Sequence, residues 1–215
     1  MSRAVRFAKR IHRMADVVAR SYSTLIGRCK LRLLGRAQLG HHVRIAGPVR
    51  VWVSPGGKLT IGDDVRFVSG WRYNPVGHDA KNGLWVGPQG RLEIGAGAGL
   101  SSTTIVARGS VRIGRDAFIG GGCRIYDNDF HSLDPAIRVH GADDDVRIKP
   151  VDIGAECFIG GYSMILKGVT VGERSIVGAG SVVTRSIPPD EIWAGNPAAF
   201  VRRLFPERSP ADPVA

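Results

Sequence analysis

The sequence predicts a mainly β protein, a parallel β-helix built of six-residue sides, preceded by a basic amphipathic helix. Ile153, Ile159, Ile165, Val171, Val177 and Val183 are six aliphatic residues in succession at a spacing of six. Gly follows at 154, 160, 172 and 178, and small or β-branched residues stand four after an aliphatic at Cys157, Ser163, Val169, Ser175 and Ser181. In the first 36 residues the rhythm is different: Ala4, Phe7, Ile11, Met14, Val18, Tyr22 and Leu25 recur at spacings of three and four.

A period of six fits neither the 3.6 of a helix nor a long run of 2. It fits a chain that makes a short extended side, turns a corner and repeats, with one aliphatic per side pointing inward. Three such sides close a triangular coil, and successive coils stack at about 4.8 Å. A β-sandwich with coincidental spacing would not obey three slots at once.

Taken in order, residues 1–36 form a basic amphipathic helical segment. They hold ten Lys and Arg against Asp16 alone, a net +9, so the rest of the chain contributes only +2 of the total +11. Such a helix packs on its own domain or trimer, lies on an anionic membrane surface, or binds nucleic acid, in that order of expectation; no nucleic-acid motif accompanies the charge, and no nucleic-acid partner is expected. Arg6, Lys9, Arg10 and Arg13 interrupt its apolar residues, so it has no unbroken signal-peptide core or membrane span.

Residues 37–187 form the β-helix. Ile113, Ile119 and Ile125 carry the same metre, with Gly114, Gly120, Ala117 and Cys123 in the expected slots. Fainter pairs appear at Ile45 and Val51, Ile61 and Phe67, and Leu100 and Val106. Loops interrupt it at 68–83, with Trp71, Tyr73 and His78, and at 126–150, which ends beyond an Asp run at 143–145 read as solvated. Aromatics on such a loop stack on sugar rings or cover a hydrophobic edge. Residues 188–215 form a C-terminal segment with a short helix. Cys29, Cys123 and Cys157 make neither a CxxC pair nor an even-numbered framework, which points to a reducing compartment, the cytoplasm, and away from zinc.

The run "IGAECFIGGYSMILKGVTVGERSIVGAGSVVTRSIPPDEIWAGNPAAFVRRL", with "GVTVG", "GAGSVVT" and "GNPA" in that order, resembles the hexapeptide-repeat acyltransferases. The resemblance is to the maltose, galactoside and nodulation O-acetyltransferase group and its polysaccharide-modifying relatives. It is strong over 113–204, weak over 39–112 and absent from 1–36. It implies a left-handed coil, against the usual right-handed crossover, a homotrimer with active sites between subunits, and acetyl-CoA as acyl donor. On the matching motifs, Gly161 lies near the thioester, Ala179 lines the pantetheine arm, Thr184 and Arg185 sit near the nucleotide end, and Arg202 belongs to the segment closing over CoA. Two departures stand out. Ala199 occupies a place where relatives carry a basic residue, and Ser101, Ser102, Thr103 and Thr104 stand where the sugar enzymes carry acceptor-binding Asn and Asp. These departures leave the acceptor open, and the basic helix in place of the compact N-terminal region of the maltose group suggests a cell-envelope saccharide.

The loop "DNDFHSLDP", 127–135, occupies the place of the family's catalytic histidine, which makes His131 the candidate base. An alcohol attacking a thioester must lose its proton as the bond forms, whereas the departing thiolate is already stable, so one general base suffices and no metal is required. Asp127, Asp129 or Asp134 is then placed to orient the imidazole. The alternation Asp127, Asp129, His131 resembles a calcium loop only faintly, because Ser132 replaces the expected Gly and no bidentate Glu follows. The expected function is acetyl-CoA-dependent O-acetylation of a saccharide in cell-envelope or exopolysaccharide biosynthesis, in the cytoplasm or at the inner face of the membrane. N-acetylation of a nucleotide-linked amino sugar is the nearest alternative. A metal-dependent carbonic-anhydrase type lacks clustered His ligands, and a non-catalytic scaffold has no use for the His loop.

Overall fold

The computed structural model describes residues 3–77, 80–140 and 145–205, with side chains from residue 14 onward. A helix, α1 (Arg3–Leu33), leads into six coils of three short strands each. They run β1 (Gln38–Leu39), β2 (Arg44–Ala46), β3 (Val49–Val53); β4 (Lys58–Ile61), β5 (Arg66–Val68), β6 (Asn82–Val86); β7 (Arg91–Ile94), β8 (Gly99–Ser101), β9 (Thr104–Ala107). The remaining three are β10 (Ser110–Ile113), β11 (Phe118–Ile119), β12 (Arg124–Tyr126); β13 (Val151–Ile153), β14 (Phe158–Ile159), β15 (Met164–Ile165); and β16 (Thr170–Val171), β17 (Ile176–Val177), β18 (Val182–Val183). First, second and third strands of successive coils pair in parallel, making three sheets that form faces one, two and three of a solenoid.

The six-residue metre is the inward row. Ile113, Ile119, Ile125, Ile153, Ile159, Ile165, Val171, Val177 and Val183 are all at most 2% exposed. Each meets its equivalent one coil away, as Ile119 meets Ile159 and then Val177. Burying such a side chain contributes about 1.5–3 kcal/mol. One faint pair is corrected: Leu100 points inward, but its successor is the buried Ile105, not Val106. The side after Leu100 is one residue short, turning at Ser102 with φ of 44°.

The small slot serves the corners, where carbonyls turn away from the ladders. Ser163 Oγ donates to the Gly178 carbonyl at 3.0 Å and Ser175 Oγ to that of Pro188 at 2.6 Å. Cys157 Sγ lies 2.9 Å from the Gly172 carbonyl. A small polar side chain answers a corner carbonyl without occupying core volume.

Both ends of the stack are covered, which protects exposed strand edges. At the first coil, the Thr24 hydroxyl of α1 accepts from Ile45 N at 3.0 Å and donates to the Ile45 carbonyl at 3.0 Å, while Ser23 Oγ accepts from Gly47 N at 2.9 Å. Gly27 permits this approach, since a Cβ there would lie 2.6 Å from Ile45 Cδ1. At the other end, where a short helix was expected, the chain forms an antiparallel hairpin of β19 (Glu191–Gly195) and β20 (Ala198–Arg203). The hairpin continues the sheet of face two, so β19 satisfies the open edge of β17, which a helix could not do. Residues 206–215 lie outside the described residues. No described helix is long and apolar enough to cross a membrane.

Candidate active site

The longer loop leaves the edge between faces three and one after β12. Its stem is tied by Lys149 N donating to the Asp127 carbonyl at 2.9 Å and Asp129 N to that of Arg147 at 3.2 Å. A short helix, α2 (Pro135–Arg138), follows. The three carboxylates of 127–135 have distinct surroundings. Asp127, fully buried, accepts from Arg108 N at 2.9 Å, Gly109 N at 2.7 Å and Asn128 Nδ2 at 3.0 Å, which pins the loop base to the corner between β9 and β10, one coil earlier. Asp134 caps α2, accepting from Ala136 N at 2.8 Å. Asp129 Oδ1 meets Lys167 Nζ at 2.5 Å, but its buried Oδ2 has no partner among the described residues. His131 lies two residues further on, exposed, its backbone N–H bonded to the Asp129 carbonyl at 2.7 Å. Asp145, read as solvated, accepts from the buried Ser132 hydroxyl at 3.2 Å; residues 143 and 144 lie outside the described residues.

Gly161 and Ala179 stack on the other edge of face three, where face two ends. Gly180 N donates to the Gly161 carbonyl at 2.8 Å, so the two corners are one coil apart. Ala179 is exposed, whereas Gly161 is half-buried, because the shorter loop folds along this edge and brings Val76 against it. Tyr162 holds that loop, its hydroxyl donating to the Val76 carbonyl. It does so from a left-handed backbone, φ 61°, where the adjacent coils use Gly122 and Gly180, and the strain is accepted for the tether. Of the loop's aromatics, Tyr73 lies beside the Arg20 and Arg72 guanidinium groups and Trp71 is exposed; His78 lies outside the described residues.

Thr184 and Arg185 return to the first edge, beyond β18, and both are exposed. Arg185 is not wholly free for a phosphate: its guanidinium lies 5.2 Å from the ring of Trp193, which closes the end of the core. Arg202, opposite Ile192 in the hairpin, donates to the Arg203 carbonyl at 3.0 Å. The six expected site residues are therefore not one cluster. His131, Thr184 and Arg185 line one edge of face three, Gly161 and Ala179 line the other, and Arg202 stands at the terminal hairpin. The edges are separated by one side of the coil, at most about 20 Å for six extended residues. Sequence reasoning missed Lys167 and Tyr162. Lys167 had a signal, since it follows Leu166, the residue that breaks the glycine slot kept at 154, 160, 172 and 178.

The chain is a three-faced parallel solenoid with a six-residue repeat. Residues 150–185 match the family described as the hexapeptide repeat of succinyl-transferase. A provisionally named acetyltransferase of Staphylococcus aureus (strain MRSA252) is 49% identical over 55 residues, 26% of this chain and 28% of that protein. Galactoside O-acetyltransferase of Escherichia coli (strain K12) is 44% identical over 55 residues, 26% of this chain and 27% of that one. The matched stretch thus spans little more than a quarter of either relative. Among solved structures, a hexapeptide-repeat acetyltransferase of Vibrio cholerae O1 biovar eltor, complexed with acetyl coenzyme A, aligns with TM-score 0.54 and 26% identity over 82% of this chain and 75% of its own. A maltose O-acetyltransferase from Clostridium difficile 630 shares the fold, with TM-score 0.54, 20% identity and 88% of each chain covered. The resemblance to hexapeptide-repeat acyltransferases carried by the motifs of the C-terminal half is upheld by these similarities.

Proposed function

We propose that this chain is an acyltransferase that moves an acetyl group from acetyl-CoA to a hydroxyl of a saccharide, acting as a homotrimer of left-handed β-helices. The observation that carries the reading is the division of the site residues between two edges of one face. The loop base is pinned to the edge of His131 by Asp127 and Lys167, so this edge and that of Gly161 and Ala179 are kept apart within one chain. A head-to-tail ring brings the first edge of one copy to the second edge of the next. The outward rows agree. Face three presents Trp52, Trp85 and Val106 in register and face two presents Phe118, Phe158 and Ile176, whereas face one presents charges such as the Arg112–Asp152 pair. Trp52, Phe118 and Phe158 are exposed and the others half-buried, and apolar rows left open in this way mark contact surfaces.

In the cleft so formed, His131 takes the proton of the acceptor hydroxyl as its oxygen attacks the thioester carbon. The C–O bond forms, the C–S bond breaks, and the imidazolium returns the proton to the departing thiolate. Asp129, whose Oδ2 has no partner among the described residues, orients the imidazole. Backbone groups at Gly161 and Ala179 line the pantetheine arm, Thr184, Arg185 and Arg202 meet the nucleotide end, and residues 188–215 close over the donor. The acceptor is a cell-envelope saccharide, modified at the cytoplasmic face. A screen of sugars and polysaccharide fragments with acetyl-CoA, following thiol release, tests the reading. With the acceptor found, His131→Ala lowers kcat by about 10²–10⁴ while leaving CoA affinity unchanged. Near-normal turnover in His131→Asn sinks the assignment, as does a fully active monomer.

A further inference from the structure

The apolar stripe of α1 faces away from the protein that the helix caps. Ser23, Thr24, Gly27 and Leu31 are the residues that dock on the first coil. Met14, Val18, Tyr22, Leu25 and Leu33 lie on the opposite side and are each more than 60% exposed. In the sequence the same spacing continues through Ile11, Phe7 and Ala4. An amphipathic helix ordinarily buries this stripe against its own core; here the inward side is small and polar apart from the buried Leu31, and the apolar stripe is presented outward.

A groove of about 790 Å³ runs beside it, between α1 and face two. Arg20, Arg28 and Arg32 line it from the helix, Arg44 and Arg66 from the strands, and no carboxylate lines it among the described residues. Arg44 and Arg66 are register partners on adjacent strands, and like charges placed side by side on a sheet favour a counter-ion; on their far side Asp64 and Asp116 line the neighbouring hollow that both arginines also border. Asp16, the only acidic residue of the first 36, is already engaged by Arg72 at 2.8 Å. Leu25 and Cys29 belong both to the groove wall and to the helix that bears the stripe, so cationic and apolar surfaces are continuous.

We propose that this surface docks on an anionic phospholipid bilayer, the stripe of α1 lying among the acyl chains near the headgroups and the arginine groove receiving lipid phosphates. A second copy of the chain would match the apolar stripe but not five arginines without a carboxylate. A soluble anion would match the arginines but leave the stripe in water. A bilayer carrying anionic lipid answers both, and a basic amphipathic helix with one apolar face is suited to lie in its interface. The inference goes beyond the acetyl-transfer reading and does not depend on it; it would hold the saccharide site near a membrane.

The test is co-sedimentation of the full chain with vesicles of phosphatidylcholine alone and with phosphatidylglycerol mixed in, at low and high salt. Binding is expected only with the anionic lipid, weakening as salt screens it, and labelling of the exposed thiol of Cys29 should slow in the bound state. Arg44→Ala with Arg66→Ala, both on strands outside the helix, weakens binding about fivefold per arginine. Val18→Ser with Leu25→Ser weakens it without altering the size of the assembly. Equal binding to both vesicle types, or no binding to either, overturns the proposal. So does a change of oligomeric state in the serine variant, which would assign the stripe to a neighbouring copy, or tight inorganic pyrophosphate binding in the groove without vesicle binding, which would assign it to a soluble anion.

Discussion

Asp127→Asn should destabilise the protein more than any other single-atom change in the histidine loop. The carboxylate is fully buried and accepts two backbone N–H groups, from Arg108 at 2.9 Å and Gly109 at 2.7 Å, besides the Asn128 amide. An asparagine retains one acceptor oxygen, and its NH₂ is then forced against an N–H that it cannot answer. Leaving a buried donor unsatisfied costs about 1–3 kcal/mol, and the remaining bonds lose the charge that roughly doubles their strength. Together these give about 2–4 kcal/mol, or roughly 5–15 °C in Tm for a chain of this size. Thermal unfolding followed by circular dichroism measures it, with urea titration as a check. Asp134→Asn is the comparison, because that exposed cap can be replaced with a loss of only a few tenths of a kcal/mol, roughly. If Asp127→Asn unfolds within about 0.5 kcal/mol of the wild type, the clamp does not hold the loop, and the separation of the two edges loses its anchor.

Asp129→Asn should act on chemistry instead: turnover falls by about tenfold or more, the KM for acetyl-CoA holds, and the urea midpoint moves little. A large stability loss with unchanged turnover would reassign Asp129 to the Lys167 pair alone. Burial pushes the Cys123 and Cys157 thiols up to about 11, so only Cys29 should react with a disulfide reagent in the native protein at neutral pH, and all three after denaturation. Fast labelling of two or more native thiols would contradict the closed core. The Arg174 guanidinium, bonded to Asp190 at 2.6 Å through both carboxylate oxygens, holds that carboxyl below its usual range. Asp190→Asn should therefore be less stable than wild type at neutral pH, and the difference should vanish as pH falls below the ordinary carboxylate value of 3.8. A gap that persists in acid would mean that packing, not charge, is lost.

The β-helix was legible in the sequence because each side of a coil repeats one local geometry and buries one aliphatic, so the period is written along the chain. The small slot was legible for the same reason. His131 is proposed as the base only through the place of its loop among familiar motifs, since a lone histidine among acids has no distinctive local signature. Local pattern could not register the short side after Leu100, where Ile105 and Val106 are both β-branched and only closure of the coil selects between them. It could not tell that the C-terminal segment would extend the sheet of face two, because that choice belongs to the open edge of β17. It left Asp127, Asp129 and Asp134 equivalent, and the partners that distinguish them, Arg108, Gly109 and Lys167, come from corners that meet only when coils stack. The apolar stripe of α1 and the coiling in sixes are both written in the order of residues. Which way the stripe faces, and which edge each site residue occupies, was decided by the tertiary structure, because periodicity specifies a face and only packing specifies what that face meets.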